Sequence, residues 1–87
     1  MKNPLQSLKQ ILQEHLEVCQ ESDDYKESIS DAQYACELGE IALNTIFDTW
    51  STLLTGWGDE SNSDIDYYRG CCYVHDQWNT IKEKEGA

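Results

Sequence analysis

Apolar residues recur through the middle of the chain at alternating steps of four and three: Tyr25, Ile29, Ala32, Cys36, Gly39, Leu43, Ile46, Trp50 and Leu53. That repeat puts all of them on one seam of a helix. Ala35, Ala42, Phe47 and Leu54 widen the seam into the broader stripe of a globular bundle. The pattern predicts one central helix over residues 24–55, about 45 Å long at ~1.5 Å per residue. No single short partner covers a stripe of that length.

Asn3 before Pro4 reads as an N-cap followed by proline at the first helical position, opening a helix over residues 4–20. Leu5, Leu8, Leu12, Leu16 and Cys19 form its apolar face, with Ile11, His15 and Val18 along the flank. Glu14, Glu17 and Glu21 lie on the other side. Leu8, Ile11, His15, Val18, Ser22 and Tyr25 can be threaded as one heptad running straight into the central helix. Against that threading, the leucine stripe is rotated by about 100° from the Tyr25–Ile29 stripe. Ser22, Asp23 and Asp24 also supply a capping hydroxyl and first-turn acids, so a turn is expected between Gln20 and Asp24. Ser30 with Gln33, and Ile29 with Tyr34, give a second helix-start signal further on.

Thr55-Gly56 supplies a C-terminal glycine for the central helix, and residues 57–63 read as a polar loop carrying one tryptophan. Ser63 or Asp64 then caps a third helix over residues 64–84. Its seam is Tyr67, Cys71, Val74, Trp78 and Ile81, with Ile65, Tyr68, Cys72 and His75 beside it. The expectation is an all-α, three-helix, up-down-up bundle forming one domain over residues 1–87.

Composition narrows the chemistry. At 87 residues, one core gives only ~3–5 kcal/mol of net stability. Cys19, Cys36, Cys71 and Cys72 fall within helical patterns rather than loops, and no signal-peptide pattern opens the chain, so a reduced, cytoplasmic protein is expected. Seventeen acids against six basic residues leave a net charge of −11. Such a charge disfavours direct contact with nucleic acid or an anionic membrane and suits a partner with a basic surface. Solubility alone is the plain alternative.

His15 with Cys19, and Cys71 with His75, are i,i+4 pairs that could supply a tetrahedral zinc site from facing helices, with Cys36 or Cys72 able to substitute. Buried cysteines acting as small hydrophobes are the stronger reading, and no metal or cofactor is expected. Adjacent Cys71 and Cys72 point about 100° apart on a helix, which is no redox pair. There is no Cys-His-Asp order, phosphate loop, EF-hand or basic aromatic stripe, so an enzyme is not expected.

The acids are the better lead. Glu14, Glu17, Glu21 and Asp24 form a ridge that Glu27 and Asp31 extend, and Asp59, Glu60, Asp64 and Asp66 gather round the second loop. Trp57, between glycines in that loop, is either an exposed interface anchor or a plug for the bundle end. Carboxylates spaced on stiff helices can imitate a run of DNA phosphates. By analogy of size, charge and helical class with anti-CRISPR proteins and DNA mimics, the expected function is non-enzymatic inhibition. The target is a larger protein with a basic surface, such as a nuclease. The alternatives are a module that assembles, or homodimerises, through its apolar seams, and an immunity or antitoxin protein.

Overall fold

The computed structural model describes residues 3–56 and 62–86, and the elements among them are four helices: α1 (Pro4–Val18), α2 (Asp23–Leu38), α3 (Glu40–Gly56) and α4 (Asn62–Gly86). None of them is long and apolar enough to cross a membrane. The all-helical expectation holds for the described residues, and the count of three does not.

The local signals at the first two helices act as expected. Asn3 Oδ1 accepts the Leu5 N–H at 3.0 Å, with Pro4 directly after it. The helix stops two residues early, because Cys19 turns to extended backbone and its N–H bonds back to the Leu16 carbonyl. Ser22 caps α2 through its Oγ, which accepts the Tyr25 N–H at 3.3 Å, and Asp23 and Asp24 sit in the first turn near the positive helix end. The two helices are therefore separate, and the continuous heptad does not form. The second start signal is interior to α2. Its Gln33 instead reaches α1, where Nε2 donates to Gln13 Oε1 at 2.9 Å and to the Lys9 carbonyl at 3.4 Å.

The central helix over residues 24–55 needs correction. It breaks at Gly39, whose φ of 122° and ψ of 178° are open in practice only to glycine. The spacing Cys36–Gly39–Leu43 keeps the heptad step, so periodicity alone passes through the break unnoticed. Gly39 serves both helix ends: its N–H donates to Ala35 O and its carbonyl accepts from Leu43 N, each at 3.1 Å. The physical reason lies in coverage. Folded back on α2, α3 buries Leu43 and Trp50, to 0% and 2% exposure, which a straight helix would hold beyond its short neighbours. At the other end, α3 includes Gly56, and the loop that follows it lies outside the described residues. The last helix begins at Asn62, so Ser63 and Asp64 lie inside α4 rather than capping it.

The helices pack around a central pair. α2 contacts the other three, most extensively α4; α1 lies across both, and α3 leans mainly on α2. Lys9–Glu37 and His15–Tyr25 contacts show α1 and α2 running antiparallel, as Phe47–His75 and Trp50–Tyr67 do for α3 and α4. The buried core comprises Leu8 and Leu12 of α1, Tyr25, Ile29, Ala32, Ala35 and Cys36 of α2, Leu43 and Trp50 of α3, and Cys71, Val74, Trp78 and Ile81 of α4. Every described position of the α4 seam except the half-buried Tyr67 is buried, whereas Leu53 of the central seam is exposed.

Gly70 sets the closest approach. A Cβ there would lie 1.8 Å from Ser28 Oγ and 2.7 Å from the Tyr25 carbonyl oxygen, so α2 and α4 meet at a distance only glycine allows. Ser28, fully buried, satisfies its hydroxyl by donating to that same Tyr25 carbonyl at 2.7 Å.

Candidate protein-binding surface

Asp24, Glu27, Asp31, Tyr34 and Leu38 step along α2 by three, four, three and four, which places them on one face. On that face Tyr34 and Leu38 border α3 and solvent, while Asp31 also meets Tyr67 of α4. Its first half is acidic and its second half apolar. Asp31, Tyr34, Ala35 and Leu38 form one wall of an open groove whose other wall is Ala42, Thr45, Ile46 and Thr49 of α3. Tyr34 is 63% exposed, Leu38 62%, and Ile41, just past the Gly39 turn, 85%. Exposed large apolar residues gathered in this way mark a contact surface more often than scattered ones do.

A chain of hydrogen bonds links α3 to α2 by way of α4. Trp50 Nε1–H donates to the Tyr67 hydroxyl at 3.1 Å, and that hydroxyl donates to Asp31 Oδ2 at 2.9 Å. Three helices are tied by two bonds. Burial, with Asp31 nearby, pushes the Tyr67 phenol up to about 12, so it stays a donor throughout the physiological range. Asp31, expected as a free binding carboxylate, is thus held by an internal partner.

The expected acidic ridge divides in the same manner. Glu21 accepts a paired contact from Arg69, at 3.2 and 3.3 Å, and Asp66 lies 3.5 Å from the same guanidinium. Arg69, the only arginine in the chain, also stands 5.7 Å from the Tyr25 ring centroid. Glu14 and Glu17 accept from Gln10 and Gln13 at 3.5 and 3.3 Å, which orders them without neutralising them. No cation among the described residues pairs with Glu14, Glu17, Asp24 or Glu27. The turn at residues 19–22 puts Glu14 and Glu17 on one helix and Asp24 and Glu27 on another, so the ridge is two short rows. Asp64 is half-buried on α4. Trp57, Asp59 and Glu60 lie outside the described residues.

The alternative zinc ligands are not brought together. His15 Nε2 lies 3.0 Å from the Tyr25 hydroxyl and its ring stacks on Tyr73 at 4.0 Å. His75 instead packs against Phe47, with ring centroids 4.3 Å apart, on the α3 side. Among the described residues no three His, Cys, Asp or Glu side chains converge as ligands. All four thiols are free. Burial raises Cys36 to about 11 and Cys71 to about 12, holding both as neutral thiols rather than nucleophiles at pH 7.

Sequence reasoning missed the groove residues Tyr34 and Leu38 and the exposed Ile41, and it missed Arg69 as the cation that engages two of the acids. The three-four step from Asp24 to Leu38 was readable, but it sits beside a stronger core seam on the same helix. No protein-family model, curated protein or solved structure shows significant similarity to the chain.

Proposed function

We propose that the chain is a non-enzymatic, acidic protein-binding module acting in the cytoplasm, where it occupies a basic, nucleic-acid-binding surface of a larger protein. One observation carries this reading: Glu14, Glu17, Asp24 and Glu27 stand on stiff helices with no cationic partner among the described residues. Carboxylates three or four residues apart on a helix repeat at about 5–6 Å. Each row carries negative charge that a phosphate-binding groove attracts from a distance. The mode of action is that of DNA-mimic and anti-CRISPR inhibitors, by analogy of charge and size. An immunity protein or antitoxin would use the same mechanism on another target.

The test is competition. Purified host nucleases and polymerases are assayed for DNA binding with the protein added, and again with the Glu14→Lys, Glu17→Lys and Glu27→Lys variant. The proposal expects DNA to be displaced at low salt, less so as salt rises, and not at all by the variant. Displacement that survives charge reversal, or that ignores a severalfold rise in salt, removes the electrostatic mechanism.

A second reading, self-assembly through apolar seams, draws on the exposed Tyr34, Leu38 and Ile41. The −11 carried by each copy opposes it. Light scattering that finds a monomer at tens of micromolar excludes it.

A further inference from the structure

We propose that the groove between α2 and α3 seats a single amphipathic, basic helix of the partner, with its apolar residues at the Leu38 end and its lysines or arginines over Asp31, Glu27 and Asp24. The inference rests on the acidic-module reading for the partner's charge and adds the place and shape of the contact.

The groove has the form that helix-in-groove recognition requires: two helical walls, a floor of small and apolar side chains, and room of about 400 Å³. Ala35, Ala42 and Ile46 are short enough to admit another helix, while Tyr34 and Leu38 rise beside them as exposed anchors. The one charged residue lining the groove is Asp31. Continuing along the same face of α2, Glu27 and Asp24 add two carboxylates without a cationic partner among the described residues. Two cations near this face are engaged elsewhere, Lys9 lying 2.6 Å from Glu37 on the α1 side and Arg69 held by Glu21 and Asp66, while Lys26 of α2 stands outside the three-four step that carries Asp24, Glu27 and Asp31. The stretch from Asp24 to Leu38 spans about 21 Å at ~1.5 Å per residue, so the occupant is a helix of about 14 residues.

Charge selects among the possible occupants. A second copy would bring its own −11 against the acids of this wall. The acidic segment at residues 57–61 departs from Gly56, about 21 Å along α3 from Ala42, at the far end from the apolar anchors. A basic helix alone matches both the apolar and the negative halves of the face.

The experiment titrates the isotope-labelled full chain with a synthetic 16-residue peptide having leucines at helical spacing in one half and lysines in the other. Amide shifts are read together with affinity. The proposal expects shifts centred on Tyr34, Ala35, Leu38, Ala42 and Ile46. It expects at least tenfold weaker binding for Tyr34→Ser with Leu38→Ser, two exposed positions whose change spares the core, and for Asp24→Lys with Glu27→Lys. Asp76→Lys with Glu83→Lys, the same charge change at two exposed positions of α4, should leave the peptide affinity within twofold. The proposal is overturned by shifts confined to the α1 acids, by equal binding of a glutamate-for-lysine peptide, or by full affinity in the serine variant. Absence of binding overturns it too, as do groove shifts that follow protein concentration alone and so reveal a second copy. Shifts on α1 with a silent groove would sink this inference while leaving the acidic-module reading intact; failure of DNA competition with an occupied groove would do the reverse.

Discussion

Toward α4, α2 presents Tyr25 and Ser28, both buried, and lies so near that Gly70 leaves no space for a methyl group. Toward α3 it presents Asp31, Tyr34, Ala35 and Leu38, two of which are more than 60% exposed. The same helix thus meets α4 through backbone-level contact and packs against α3 along an open groove. Small residues let helices close and bury what lies between them. Toward α3, Tyr34 and Leu38 instead stay exposed along an open groove, and the Trp50–Tyr67–Asp31 bonds reach α2 only by way of α4. Stability is concentrated on one side of α2, and the other side remains available for a partner.

The largest expected effect comes from removing the largest buried side chain of α3. Trp50→Ala deletes a ring that is 2% exposed and removes the donor to the Tyr67 hydroxyl. It should cost ~3–5 kcal/mol in denaturant unfolding, enough to unfold a domain this small. Gly70→Ala attacks the close side and should cost about 3 kcal/mol, because both the Ser28 hydroxyl and the Tyr25 carbonyl must yield. Adding Ser28→Ala removes the nearer clash and should recover part of that loss in a double-mutant cycle. Full additivity would show that the two helices do not meet there. Gly39→Ala, by contrast, meets no atom within 4 Å, so its cost is backbone strain alone, ~1–3 kcal/mol. A neutral result would mean that α2 and α3 are joined in some other conformation.

The smallest effect is a pH dependence. Burial beside Phe47 and Trp50 lowers the His75 pKa below its usual 6.5, with Asp76 opposing weakly. The unfolded chain then binds the proton more readily than the native one. The stabilising contribution is complete above pH 6.5 and is lost as pH falls through the depressed native value. Chemical denaturation of the wild type and of His75→Phe from pH 7.5 to 5 should diverge in that window, the wild type losing more.

Much of this was legible in the chain. The Asn3-Pro4 and Ser22-Asp23-Asp24 signals act over a few residues and decide helix starts locally, so they survive any tertiary arrangement. The α4 seam was readable because one stripe of Cys71, Val74, Trp78 and Ile81 is buried along its length. The break at Gly39 was not, since a glycine at a seam position fits both a continuous helix and a reversal, and only tertiary coverage decides between them. The acids were legible as charge but not as free charge. Whether Glu21 or Asp31 is available depends on Arg69 and Tyr67, which stand 48 and 36 residues away. No spacing rule reaches that far.

Amide hydrogen exchange at each residue tests the central contrast most directly. If α2 and α4 form the tight side, amides at 28–36 and 70–78 should exchange only through global unfolding. Those at 43–50 should open at a lower free energy, because α3 borders an open groove and is held chiefly by Leu43 and Trp50. Protection in α3 equal to that in α4, or opening of the α2–α4 amides first, would contradict the account.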